Sequence, residues 1–488
     1  MQDATSNNKR IAKNTLFLYI RMLFIMAVQL YTSRAVLNIL GVVDYGIYNV
    51  VGGIVTMFAF LNSAMVTSTQ RYITFELGKK NYDRLKTVFT TSIQIHALIS
   101  LTIIILGETV GLWFLYEKMV IPTERMTAAL WVFQLSILTM IVQVMSVPYN
   151  SAIVAHEKMS AFAMISIVEV VLKLLVVYLL LIGHFDKLIF YAVLIAVIQL
   201  FIRSLYTNYC HRHFQETRLI KVYDKTLIKE MGKFAGWNLW GNLAATLFGT
   251  GLNLLLNMFF GPVVNAARAI AVQVETAIAQ FSGNFLMAVN PQITKLYASD
   301  NMKEMHSLLF RASKFTFFLL FILSLPVIME TDIILQVWLK TVPDYTVPFL
   351  RLLLCIAIID SVARPLMTAA AATGKVKLYQ SVIGGILLAI VPIAYVVLRL
   401  GGNPTSVYIV HLSVCIVAFI ARLYIIRPMI RLSLQSYLNN VILKCIPVCL
   451  LSLALSMSLK SVLPQGFLFS VCICFLSVAF ATVSSYML

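Results

Sequence analysis

The residues of this chain best suited to chemistry lie inside apolar segments, where charge is costly. In residues 260–298 a Gly-Pro turn opens a long apolar stretch that nevertheless carries Arg268 and Glu275. Seven positions apart on a helix, the two share a face but stand about 10 Å apart along the axis. They therefore do not simply neutralise each other. A charge at bilayer depth costs about 2.5–3.5 kcal/mol on insertion scales, so such residues face a bundle interior or a watery cavity and mark a pathway. The competing reading is an interhelical ion pair that only fixes packing.

Other intramembrane charges divide in the same way. Gly52, Thr56, Ser63, Thr67 and Arg71 follow helical spacing and form a small, polar stripe. Small residues in a stripe also serve close helix packing, but a long cation is not a packing residue. Arg71 either faces a cavity or snorkels to lipid phosphates from near its helix end. Arg21 has apolar residues on both sides and the same two readings, whereas Arg34 reads as snorkelling. Glu169 with Lys173, and Asp360 with Arg364, have the four-residue spacing of an intrahelical ion pair. Asp360 and Glu275 are also the candidate cavity or ion-coupling carboxylates, because a buried carboxylate takes up a proton or a sodium ion. Pro148 and Pro365 read as kinks that free carbonyls toward a cavity, or as helix stops. His211 and His213 lack further ligands, so no metal site is expected.

These residues need a membrane scaffold. Of 488 residues 60% are hydrophobic and 12% charged, with a mean hydropathy of +0.88, which excludes a soluble core with a polar coat. The net charge of +18 falls in short segments between apolar runs. That is the pattern of positive-inside topology, and no nucleic-acid partner is expected. No disulfide framework follows from the seven cysteines. The basic N-terminus leads into an apolar run too long for a signal-peptide core, and reads as an uncleaved first span. Phosphate loops, HExxH and GxGxxG signatures are missing, so the chain is not expected to be an enzyme.

At about 20 apolar residues per span, fourteen helices are expected near 14–40, 47–76, 86–108, 127–150, 161–183, 188–209, 234–260, 264–294, 309–331, 346–372, 378–399, 405–427, 438–460 and 466–487. About seventeen lysines and arginines fall in one set of loops, against Lys118, Arg125, Lys187 and Lys340 in the other. Both termini are therefore expected in the cytoplasm. Shifted by 220 positions, Gly41 meets Gly261, Thr74 meets Thr294 and Asn81 meets Asn301. Shifted by 217, Pro148 meets Pro365 and Lys158 meets Lys375. The expected architecture is all-α: a six-helix lobe (1–209), a basic cytoplasmic connector (210–233), a parallel six-helix lobe (234–430) and two further helices (431–488).

The runs GPVVNAARAIAVQV and NFLMAVNPQITKLYA, with LNILGVVDYGIYNVVGGIV and RYITFELGKKN in the first half, carry a likeness over essentially the whole chain. The chain resembles the polysaccharide and O-antigen flippases of the multidrug/oligosaccharidyl-lipid/polysaccharide (MATE-like) exporter superfamily. The resemblance implies two six-helix lobes around a central cavity that opens alternately to either side, lined by the first, second, seventh and eighth helices. Arg21, Arg71, Arg268 and Glu275 lie on these helices. It implies transport of an undecaprenyl-linked oligosaccharide across the bacterial inner membrane by a monomer without a cofactor, with Na+ or H+ as candidate coupling ions. Because the pyrophosphate of such a lipid needs cations in place of water, Arg268 and Arg71 are expected to face each other and hold it, with Arg21 as a third. A cation-coupled multidrug exporter is the alternative, and a membrane polymerase or acyltransferase a more distant one.

Overall fold

The computed structural model describes residues 2–56, 59–117, 119, 121–182, 186–339, 342–462 and 467–487. Among these the regular structure is entirely helical. By contacts the chain divides into two compact units, Met1–Leu239 and Trp240–Leu488.

The first unit contains α1 (Gln2–Thr56), α2 (Ala59–Lys79), α3 (Tyr82–Leu106), α4 (Met126–Ala155), α5 (Met159–Ile182) and α6 (Lys187–His213). The boundary between units falls within α7 (Lys225–Phe260), so the last part of the expected connector is helical. The second unit continues with α8 (Pro262–Ala298), α9 (Met302–Met329), α10 (Thr331–Leu339), α11 (Thr346–Ala372), α12 (Lys377–Leu388), α13 (Ile390–Arg399), α14 (Pro404–Met429), α15 (Leu443–Val462) and α16 (Phe467–Met487).

The repeat expected from the sequence is present in the backbone itself. The helical stretch α1 is two helices meeting at Gly41, with φ 79° and ψ 168°. Between α7 and α8, Gly261 has φ 78° and ψ −173°. This region is essentially closed to residues bearing a Cβ. At the same 220-residue offset, Lys80 and Asp300 both have positive φ, 57° and 56°. The next residues, Asn81 and Asn301, cap α3 and α9 by accepting from the backbone N–H of Arg84 and Glu304. Glu157 (φ 60°) and Gly374 (φ 75°) match at the 217-residue offset. Turn chemistry is thus copied where most of the side chains are not.

Eleven stretches of the described residues are long and apolar enough to cross a membrane, and Phe469–Val483 is a shorter apolar helix. Of the fourteen expected spans, the remaining two are 47–76, which includes residues outside the described set, and α8. Arg268, Gln273, Glu275, Gln280 and Asn284 make α8 too polar to qualify, although it is 37 residues long. The exposed faces of the other helices carry large apolar residues such as Leu101, Ile105, Leu179, Val197 and Ile420, a surface suited to lipid. The chain is a multi-pass membrane protein.

Neither expected proline break stops a helix. Pro148 lies inside α4 and Pro365 inside α11, both buried. Pro365 cannot bond to the carbonyl of Ser361 four residues back; that oxygen instead accepts from the Thr316 hydroxyl of α9 at 3.0 Å. It is spent on packing and not offered to a cavity. Each unit has its own apolar core, with Phe89 edge-on to Tyr149 at 5.3 Å in the first and Phe349 against Tyr408 at 4.5 Å in the second.

Candidate functional site

In the second unit the Gly261 turn sets the phase of α8. Pro262 occupies the first helical turn, where its missing N–H is harmless. Arg268, about two turns on, reaches back across the hairpin so that its Nη2 donates to the Gly249 carbonyl of α7 at 2.9 Å. Its Nε is buried, and among the described residues it has no hydrogen-bond partner. A full cation held by one neutral carbonyl retains most of its capacity to bind an anion. Glu275, half-buried two turns farther along α8, stands within electrostatic range of Arg364 and Asp360 of α11. Arg268 and Glu275 thus have different partners, as their spacing implies.

Asp360 departs from the expected pairing with Arg364. Its Oδ1 accepts from Nη1 of Arg422 on α14 at 2.6 Å. The Arg422 side chain is 5% exposed against 38% for Asp360, which explains the exchange. A cation so deeply buried must have a carboxylate, whereas Arg364 has Glu275 within range. The other expected pair forms as read: Lys173 Nζ donates to Glu169 Oε1 at 2.6 Å, and Gln199 of α6 donates to the same oxygen at 2.8 Å.

Sequence reasoning passed over α14. Tyr408, His411, Cys415 and Arg422 are all buried and follow one another at steps of three, four and seven, a single helical face. Among the described residues, Tyr408 Oη, His411 Nδ1 and Arg422 Nε have no hydrogen-bond partner. The His411 ring sits edge-on to Phe248, beside the Gly249 that Arg268 grips, with ring centres 5.1 Å apart. That periodic stripe was the available signal.

In the first unit Arg71 is caged by aromatic rings. Its guanidinium carbon lies 4.5 Å from the ring centre of Tyr72, 4.6 Å from Phe75 and 5.7 Å from Phe234. Ser68, one turn earlier, donates to the Met231 carbonyl at 3.2 Å, which fastens α2 to the start of α7 and brings Phe234 into reach. Arg21 stacks over Phe162 of α5 at 4.7 Å, within electrostatic range of Tyr206 and Glu169. It belongs to a polar cluster among α1, α5 and α6. The side chain of Arg34 lies outside the described residues.

At the end of this unit nearest Gly41, Arg125 binds Asp44 and, at 2.5 Å, Asp186. Asp186 also caps α6, accepting from the N–H groups of Leu188 and Ile189. Burial alone would raise its carboxyl; the Arg125 contact and the two backbone N–H groups outweigh it and hold the group below the ordinary aspartate value.

No family model and no curated protein matches the chain by sequence. Solved structures do match in fold. An outward-facing multidrug resistance MATE family transporter of the MOP superfamily aligns with a TM-score of 0.74 at 12% identity, over 87% of this chain and 96% of that one. A Vibrio cholerae MATE transporter, VcmN, in the bent form gives 0.71 at 17%, over 90% and 100%. A MOP superfamily transporter from Pyrococcus furiosus, described by the reverse polarity of its binding pocket, gives 0.70 at 14%, over 88% and 96%. The chain therefore has the fold of the MATE and MOP transporters.

Proposed function

We propose that this chain is a transporter that flips a lipid-linked oligosaccharide across the bacterial inner membrane, starting from a fold it shares with MATE and MOP transporters. The observation that carries the reading is the presence of Arg71 on α2 of the first unit and of Arg268 on α8 of the second. Among the described residues Arg268 is held by a backbone carbonyl, and Arg71 is flanked by aromatic rings. Moving a bare pyrophosphate through about 30 Å of hydrocarbon is prohibitively costly, so a carrier must replace its hydration with fixed cations. Arginine suits this task, since it stays charged and presents a planar fork to phosphate oxygens. Arg268 and Arg71 hold the head group in this reading, Arg21 assists, and Glu275 and Asp360 are the carboxylates available for ion coupling. The termini are cytoplasmic.

Among the proteins sharing the fold, one is named as a multidrug resistance transporter, which supports cation-coupled drug export as a second reading. The cationic groups above favour an anionic cargo. The deciding experiment measures surface polysaccharide, and its undecaprenyl-linked precursor on the inner leaflet, in cells expressing an Arg71→Ala, Arg268→Ala double variant at normal levels. Loss of export with precursor accumulation is expected. Wild-type export would remove the arginines from the site and move weight to the drug reading.

A further inference from the structure

We propose that α9 and α15 together form a binding site for an anionic phospholipid, whose phosphate is held by Arg311, Lys314 and Lys444. The site shares no residue with the candidate transport site, and its ligand is a component of the surrounding membrane, not the cargo.

The two helices lie side by side and run in the same direction. At their beginnings Tyr437, just ahead of α15, donates to Ser313 Oγ of α9 at 3.2 Å and sets its ring edge-on to Phe310, with centres 5.8 Å apart. At their far ends Glu330, next after α9, meets Lys460 of α15 at 2.9 Å. Arg311 and Lys314 each follow one of the contact residues Phe310 and Ser313 by a single position, so both line the same edge of the seam. Beyond Tyr437 a π turn at Leu438–Ile442 leads into α15 and Lys444. Lys444 and Arg311 both come within electrostatic range of Lys314.

Cations gathered at one place repel each other, and the sequence around them is poor in carboxylates. Between Glu304 and Glu330, at the two ends of α9, the only lysine or arginine residues are Arg311 and Lys314, and no aspartate or glutamate intervenes. After Asp360, which binds Arg422, the chain has no acidic residue at all. One lysine near a helix end is explained by snorkelling. Three cations from two packed helices are the arrangement that a shared anion stabilises. Depth and surroundings make that anion part of a lipid. Arg311 and Lys314 fall in the first two turns of the expected span 309–331, and Lys444 in the first two turns of 438–460. Helical side chains lean toward the N-terminus, so all three reach back to the level of lipid phosphates at the Asn301 end. Phe315, Leu438 and Leu443, next to these residues in the chain, are exposed and apolar, a surface for acyl chains and not for an ion in water. Basic pockets between transmembrane helices on the cytoplasmic side, where this end is expected to lie, recognise anionic head groups in this way.

The test is native mass spectrometry of the purified full-length protein, stripped of co-purified lipid and titrated in detergent with phosphatidylglycerol or phosphatidylcholine of identical chains. Wild-type protein is expected to bind phosphatidylglycerol severalfold more tightly. The Arg311→Gln, Lys314→Gln, Lys444→Gln triple variant is expected to lose that preference, and the milder single variants Lys314→Gln and Lys444→Gln to lose part of it, which keeps the test decisive even where the triple variant does not fold. A Lys375→Gln, Lys377→Gln control, which removes two other basic residues expected on the same side, is expected to keep it. Equal binding of the two lipids by wild-type protein, a preference unchanged in the site variants, or an equal loss in the control overturns the proposal. So does displacement of phosphatidylglycerol by inorganic phosphate at equal concentration, which identifies a site for a free ion. The Arg71→Ala, Arg268→Ala double variant is expected to keep the preference, so the outcome is independent of the transport reading.

Discussion

The carboxylate of Asp360 lies 2.6 Å from the guanidinium of Arg422, sixty-two positions away in the chain, although Arg364 stands one helical turn from it on its own helix. The contact joins α11 to α14 and supplies the counter-charge for a cation that the fold buries. Removing Asp360 alone leaves that cation stranded. Asp360→Asn should destabilise the purified protein by about 3 kcal/mol, the low end for a broken buried pair because the carboxylate is partly exposed. Adding Arg422→Met to Asp360→Asn should recover most of the loss. Thermal unfolding of the single and double variants in detergent measures both, and additive losses would show that the two residues are not partners.

Charge alone should not replace Arg268. If phosphate oxygens are held in a two-pronged contact, Arg268→Lys keeps the charge and loses the fork, and export should fall at least severalfold, with Arg268→Ala lower still. Quantified surface polysaccharide at matched expression is the measurement. Full export by Arg268→Lys would mean that a point charge suffices.

Single-cysteine labelling in a cysteine-free background checks the topology. Lys80, Asp224 and Lys375 should react only from the cytoplasmic side, and Asp44, Glu117 and Asp344 only from the other. Reaction of Lys80 and Asp44 from the same side is incompatible with this arrangement.

Asp186 gives a pH signature outside the membrane-spanning segments. Its carboxyl is held below the ordinary value in the folded state, so its stabilising contribution is fully present above the unfolded value, near pH 4, and disappears as pH falls through the lower folded value. The unfolding temperature of Asp186→Asn should therefore lie below that of the wild type at pH 7, with the gap closing as the buffer is taken well below pH 4. A gap independent of pH would indicate that the lost helix cap, and not the ion pair, dominates.

The helices and the duplication were legible in the sequence because length, hydropathy and turn residues are local properties. Gly41 and Gly261 could be matched by counting, and so could the caps at Asn81 and Asn301. The partner of Asp360 could not. Spacing along one helix proposes Arg364, and only packing between helices reveals that Arg422 is the more deeply buried cation and takes the carboxylate. His411 was missed for a different reason. The stripe from Tyr408 to Arg422 is periodic, but inside an apolar span such a stripe has the same pattern as plain helix packing. The carbonyl freed by Pro365 could not be assigned either, since its acceptor role depends on Thr316 from another helix.

The paired glycine turns have a mechanical consequence. At Gly41 and at Gly261 no atom of the described residues lies within 4 Å of where a Cβ would stand, so none of those side chains braces either elbow. Torsion alone sets the angle between the two long helical arms that meet there. Replacing either glycine by alanine would meet no obstacle and would still cost about 1–3 kcal/mol in backbone strain. Each unit carries one such elbow, Gly41 inside α1 and Gly261 directly ahead of α8.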